Sequence, residues 1–407
     1  MSLPHSWQAW VDQRLQRRHQ AHRLRQLDPI DPTGPVHIRR GNSAQERILF
    51  SSNDYLGFSG HPQILTAVQD ALETYGLGPR GSPLICGYTT LHNRLEKAIA
   101  TWKGTEAALL CPTGFAANLA VMVALADEHT TIFSDRLNHA SIIDGCTLAR
   151  RRGASLQVFP HGDVQALDDL LSDLPRGRRA LVITDSVFSM DGDLAPLPGL
   201  SQTCQHHDAL LVIDGAHGSF VHGPHGAGLA AAWQITDAID LHVGTLSKGA
   251  GALGGFIATT DAMRQLLLNL GRSYIYSTAP PIPVVAAALA AIELVSSDDE
   301  PRRRLWSHID RLSNALDVPL TSPIIPLILG PEDQALQAAD LLAQRGLDVT
   351  AIRPPTVPTG TSRLRITLSA AHRTADVDRL IEALEMLDHR FGVTVPEPPT
   401  APPPRFL

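Results

Sequence analysis

The chain has 407 residues, 43% apolar and 18% charged, enough for two or three globular units with sizeable cores. A formal charge of −7 speaks against general nucleic-acid affinity, which needs a basic surface. No apolar run approaches the ~20 residues that cross a bilayer, and "MSLPHSWQAWVDQRLQRRHQ" carries no apolar signal region, so a cytoplasmic protein with no membrane partner is expected.

Residues 6–27 read as a helix with Trp7, Trp10, Val11, Leu15, Leu24 and Leu27 on or near one face and five arginines elsewhere, an arm packed on the body or on a second subunit. From residue 61, "PQILTAVQDALETYG" and "TLHNRLEKAIATWKG" have helical periodicity. Seven short apolar runs follow, "EAALLC", "TIFSD", "LQVFP", "RALVITD", "ALLVID", "IDLHVG" and "GGFIATT", several separated by helix-like segments. That alternation predicts an α/β fold with a mainly parallel sheet covered by helices. "PPIPVVAAALAAIELVSSDDE" reads as a long helix into a smaller C-terminal α/β unit, and "PEPPTAPPPRFL" as an extended tail. The expected division is 1–60, a helical arm with short strands; 61–290, a large domain; 291–390, a small domain; and 391–407, the tail. Cys86, Cys111, Cys146 and Cys204 are far apart and suit reduced thiols.

Gly249, Gly251 and Gly254 in "TLSKGAGALGG" have G-x-G-x-x-G spacing, as do Gly76, Gly78 and Gly81. A dinucleotide loop must join a strand to a helix, whose N-terminus takes the pyrophosphate. The first set leads into another strand and the second follows a helix, so neither fits. His217, His222 and His225 lie in a glycine-rich loop with no carboxylate or cysteine at ligand spacing, so no metal is expected.

Ligands of an open parallel sheet collect at the carboxyl ends of its strands. Those ends carry Asp135 and His139, Asp185 and Ser189, Asp214 and His217, and Thr245 and Lys248. Thr113 and Gly114 open a helix whose free N–H groups can hold a phosphate. A lysine, a carboxylate and a phosphate cradle together suit pyridoxal 5′-phosphate.

The motifs "SSNDYLGF", "TGFAANLAV", "DRLNHASIIDG", "DSVFSMDGDLAPL", "DGAHG", "TLSKGAGALGG", "YSTAPP" and "RPPTVPTGTSRLRITLSAAH" make the chain resemble the α-oxoamine synthase family of fold-type I pyridoxal-phosphate enzymes from about residue 6 to about residue 390. The resemblance implies a seven-stranded, mainly parallel large-domain sheet and a homodimer with shared active sites. It implies that Lys248 carries the cofactor, that Asp214 faces the pyridinium nitrogen, that His217 and Ser189 lie near the phenolic oxygen and that His139 stacks on the ring. Gly114, Phe115 and Thr245 would hold the phosphate, with Thr278 reaching it from a neighbouring subunit. Arg365 would bind the amino-acid carboxylate with Asn53 in support, and Arg25 and Thr356 would position the acyl substrate. "AIRPPTVPTGTSRLRITLSAAH" is most similar to the branch that joins L-alanine to a pimeloyl thioester, carried on coenzyme A or on acyl carrier protein. Branches taking other amino acids are the near rivals, and a catalytically silent, cofactor-binding scaffold is the distant one. Departures are Gly215 and Asp185, where many members have an acidic residue and a glutamate, and Arg80 and Pro83 in "GLGPRGSPLICG".

Overall fold

A computed structural model describes residues 3–41 and 43–406. Its central sheet has seven strands in the order Ala107–Cys111, Gly255–Thr259, Leu241–Thr245, Leu210–Asp214, Arg179–Asp185, Thr130–Asp135, Ser155–Phe159. Gly255–Thr259 runs antiparallel to both neighbours, and the other strands share one direction. The seven apolar runs are these seven strands. Successive strand residues face opposite sides of a sheet, so both sides are apolar here. Leu211 and Ile213 pack into one buried cluster, and Val212 between them packs into the other.

The C-terminal unit has a three-stranded antiparallel sheet in the order Ile324–Gly330, Ser362–Thr367, Thr350–Ile352. The helices Glu300–Leu316, Glu332–Gln344 and Thr374–Phe391 belong to the same unit. A third, four-stranded sheet links the two ends of the chain: Glu46–Leu49 pairs with His37–Arg40 and, in parallel, with Leu347–Asp348. The N-terminal strands are thereby tied to the C-terminal unit.

The first helix is shorter than its periodicity suggests, His5–Gln20 rather than 6–27, and none of its residues is buried. Beyond it, Arg23 donates to Glu332 at 2.7 Å, and Arg25 donates to Thr356 at 3.1 Å. These tertiary bonds hold the segment extended. The proline-rich tail is also extended, with the Arg405 guanidinium 4.1 Å from the centre of the Trp306 ring and paired with Asp310 at 2.7 Å. Cys86 is exposed and the other three cysteines are buried, all of them free. No helix among the described residues is long and apolar enough to cross a membrane.

Candidate active site

The parallel strands end at one edge with Asp135, Asp185, Asp214 and Thr245, and the connections leaving that edge build a cavity of about 600 Å³. Lys248 lies in the hairpin between Leu241–Thr245 and the antiparallel Gly255–Thr259, which explains why its glycines do not open a helix. Gly251 has φ +61° and Gly254 φ +132°, conformations that favour glycine. A Cβ on Gly255 would lie 2.3 Å from the Thr113 backbone, so only glycine lets the hairpin pass the start of the helix Gly114–Leu125.

Among the chain's lysines, Lys97 is exposed, Lys103 is buried away from the cavity, and Lys248 lines it. Lys248 Nζ lies 2.8 Å from His217 Nε2, and His217 Nδ1 lies 2.6 Å from the Tyr55 hydroxyl. Burial lowers the Lys248 pKa to about 8, against the opposing pull of Asp214 and Asp185. Burial, and then the Lys248 charge, push His217 well below the usual imidazole range, so its ring is neutral and carries one proton. When Lys248 is protonated it must donate to Nε2, and the ring proton on Nδ1 then goes to the Tyr55 oxygen. With Lys248 neutral, this polarity can reverse. Burial raises the Tyr55 pKa although Arg365 opposes it, which keeps the phenol protonated.

Asp214 accepts from Asn118 Nδ2 at 2.7 Å and from the Ala216 N–H at 2.9 Å. Asn118 also donates to Ser141, whose hydroxyl lies 2.7 Å from His139 Nδ1. The His139 N–H donates to Asp185 at 2.8 Å. Burial, then the nearby Asp214 charge, raise the Asp185 pKa well above the carboxylate range. His139 is pushed down by burial while Asp214 pulls it up.

Arg365 Nε donates to the Ser189 carbonyl at 2.5 Å, and Nη2 donates to Asn53 Oδ1 at 3.1 Å. Arg25, Asn53, His139, Ser189, His217, Lys248, Thr356 and Arg365 all line the cavity. Phe115 sets its ring edge-on to His139 at 6.4 Å. Gly114 abuts Thr245, since a Cβ there would be 3.1 Å from the Thr245 Cβ. Thr278 stands apart: it is exposed and does not line this cavity. Tyr55, Asn118 and Ser141 are not among the residues the sequence singles out, although they lie inside the quoted motifs "SSNDYLGF", "TGFAANLAV" and "DRLNHASIIDG".

The donor set fits pyridoxal phosphate. The N–H groups of Gly114 and Phe115 open a helix and have no acceptor in a preceding turn, the arrangement that receives a phosphate. The Thr245 hydroxyl donates to the Gly254 carbonyl at 2.8 Å and lies 2.7 Å from Ser247 Oγ, so the exposed Ser247 stands beside it as a further hydroxyl. Lys248 supplies an amine that ionises near neutrality and Asp214 a carboxylate pinned from two sides.

A parallel sheet that delivers its lysine on an antiparallel hairpin, opposite a phosphate-binding helix start, is the frame of the fold-type I pyridoxal-phosphate-dependent transferases. The family model for aminotransferase class I and II matches residues 45–384. The chain is 49% identical to an 8-amino-7-oxononanoate synthase of Arabidopsis thaliana over 83% of its own length and 74% of the relative's. Identity to the enzyme of that name from Anaeromyxobacter sp. (strain K) is 46%, covering 87% and 88%. Among solved structures, a serine palmitoyltransferase from Sphingomonas wittichii aligns with TM-score 0.88 and 30% identity, over 97% of this chain and all of that one. An 8-amino-7-oxononanoate synthase from Francisella tularensis aligns with TM-score 0.71 and 28% identity, over 84% and 97%. The chain belongs to the α-oxoamine synthase family of pyridoxal-phosphate-dependent acyltransferases, and its sequence relatives there are 8-amino-7-oxononanoate synthases.

Proposed function

We propose that this chain joins L-alanine to a pimeloyl thioester in biotin biosynthesis, releasing the carrier thiol and carbon dioxide and forming 8-amino-7-oxononanoate. The observation that carries the reading is one cavity with an amine ionising near neutrality on one wall and a guanidinium for a carboxylate on another. The relatives' names supply the choice of substrates.

The bound cofactor supplies an electron-accepting ring that stabilises charge at the amino-acid α-carbon. Asp214 would meet that ring with a carboxylate fixed by Asn118 and Ala216. Lys248 Nζ takes and returns the proton at the α-carbon, and His217 passes its orientation on from Tyr55. Arg365 holds the substrate carboxylate, its own plane fixed by Ser189 and Asn53. Gly114, Phe115, Thr245 and Ser247 would hold the phosphate, and Arg25 with Thr356, on the cavity wall, would meet the acyl arm.

A homodimer accords with the exposed Leu77, Ile85 and Tyr276, which are 70%, 81% and 72% accessible. They belong to two segments packed together, since Ala279 N–H donates to the Gly81 carbonyl at 3.1 Å. Large apolar side chains left exposed on neighbouring segments accord with an interface. Thr278 lies in the same surface, where it could serve a neighbouring subunit's phosphate.

The test is free-thiol release from pimeloyl-CoA by the cofactor-loaded protein, with L-alanine, glycine and L-serine compared. Release that depends on L-alanine supports the reading. The backbone likeness to serine palmitoyltransferase favours a second reading, an α-oxoamine synthase taking L-serine, and release with L-serine alone would establish it.

A further inference from the structure

The helix Thr90–Lys103 ends in two residues whose side chains reach the segment that follows the Asp214 strand. Lys103 is buried, and its Nζ donates to Ser219 Oγ at 2.8 Å and to the Ala227 carbonyl at 2.5 Å. The same ammonium lies 4.1 Å from the centre of the Trp102 ring and 5.5 Å from that of Phe256. Trp102 Nε1 donates to the His225 carbonyl at 2.9 Å, and its ring packs on Phe220 at 4.7 Å. No carboxylate among the described residues pairs with Lys103, and burial lowers its pKa to about 7. A buried amine without a counter-charge is costly, and among the described residues both of its hydrogen-bond partners belong to one loop.

That loop starts at Gly215, whose N–H donates to the Val243 carbonyl at 2.7 Å, and carries His217 two residues on. Lys103 grips it at Ser219 and again at Ala227. Between the two grips, Phe220 presses under the lysine hairpin, because a Cβ at Gly249 would be 2.5 Å from Phe220 Cβ. Trp102 and Arg302 also hold this loop, at the His225 and Gly223 carbonyls, but Lys103 grips it at two points, Ser219 and Ala227, on either side of the residue that supports Lys248.

We propose that Lys103 is a positioning residue: by tying Ser219 to Ala227 it sets the 215–228 loop, and through it the 2.8 Å approach of His217 to Lys248. Its effect on turnover rests on the proposed function, whereas its effect on the loop does not.

The test compares Lys103→Met, Ser219→Ala and the double variant with the wild type. Hydrogen exchange is measured on cofactor-free protein, and kcat and KM for L-alanine on loaded protein. In Lys103→Met, exchange in residues 215–228 should rise about tenfold while the helix Gly114–Leu125 stays unchanged, a local opening rather than global loosening. Its kcat should fall about tenfold, with KM within about twofold, as expected when a reacting pair is misplaced but substrate contacts remain. Ser219→Ala should lose about threefold, and the double variant should be no worse than Lys103→Met, because both changes break one bond. Unchanged exchange in 215–228, a kcat within about twofold, or multiplying losses in the double variant would each overturn the proposal. If Lys103→Met does not fold, wild-type exchange and kcat in Ser219→Ala overturn it alone. If the wild type itself releases no thiol, the functional reading fails and the exchange data still decide the role of Lys103.

Discussion

Lys248, His217 and Tyr55 meet among side chains that the sheet and its helices bury, whereas Arg25 and Thr356 meet at the rim through one exposed hydrogen bond of 3.1 Å. The reacting wall inherits its geometry from the core: each strand end is fixed by its neighbours, and moving one group disturbs several. The rim is held by contacts that water can replace, each worth little. Under the proposed function, acid–base chemistry is therefore preset in this molecule, while the grip on the acyl arm is adjustable.

The sharpest break of that contrast is Lys248→Ala, which should abolish turnover while leaving the thermal transition and circular dichroism unchanged. Near-normal thiol release from the variant would remove Lys248 from the chemistry. Asp214→Asn should come next, lowering kcat about 10²-fold or more and leaving L-alanine binding nearly intact, since it removes charge stabilisation rather than a substrate contact. An unchanged kcat would sink the electrostatic role.

Protonation offers a gentler probe. Trinitrobenzenesulfonate attacks neutral amines, and burial holds Lys248 at about 8, protonated below that pH and neutral above it. Peptide mapping of cofactor-free protein should show the rate of Lys248 labelling at half its maximum near pH 8. A rate with no inflection near pH 8 would show that the cavity does not tune its lysine. The smallest effect is expected at the rim: Arg25→Ala should raise KM for the acyl thioester about threefold with kcat within about twofold, as for loss of a uniform binding contact. A large fall in kcat would instead make the rim part of the preset site.

The same contrast separates what the sequence makes legible from what it does not. The seven core strands announce themselves as short apolar runs, and the strand ends bring most of the expected residues to one cavity. Local signals fail where a partner is remote. Tyr55 meets His217 across 162 residues and Asn118 meets Asp214 across 96, with no periodicity to mark either. The helix Glu300–Leu316 is hidden by its charge run "PRRR", although Arg302 is buried against the Gly223 carbonyl. The first helix is overextended in a periodic reading because Arg23 and Arg25 are claimed by distant residues rather than by their own turn.

The bond from Arg365 to Asn53 spans 312 residues. At ordinary translation speeds of ~5–20 residues per second, roughly 15 to 60 s separate the appearance of its two halves on the ribosome. Over the last part of that interval, the roughly 6 to 23 s between residues 248 and 365, the nascent chain holds Lys248 while Arg365 has yet to be made. A message cut short before residue 365 would thus yield a polypeptide with the cavity's amine but without the guanidinium to which the proposed function gives the substrate carboxylate.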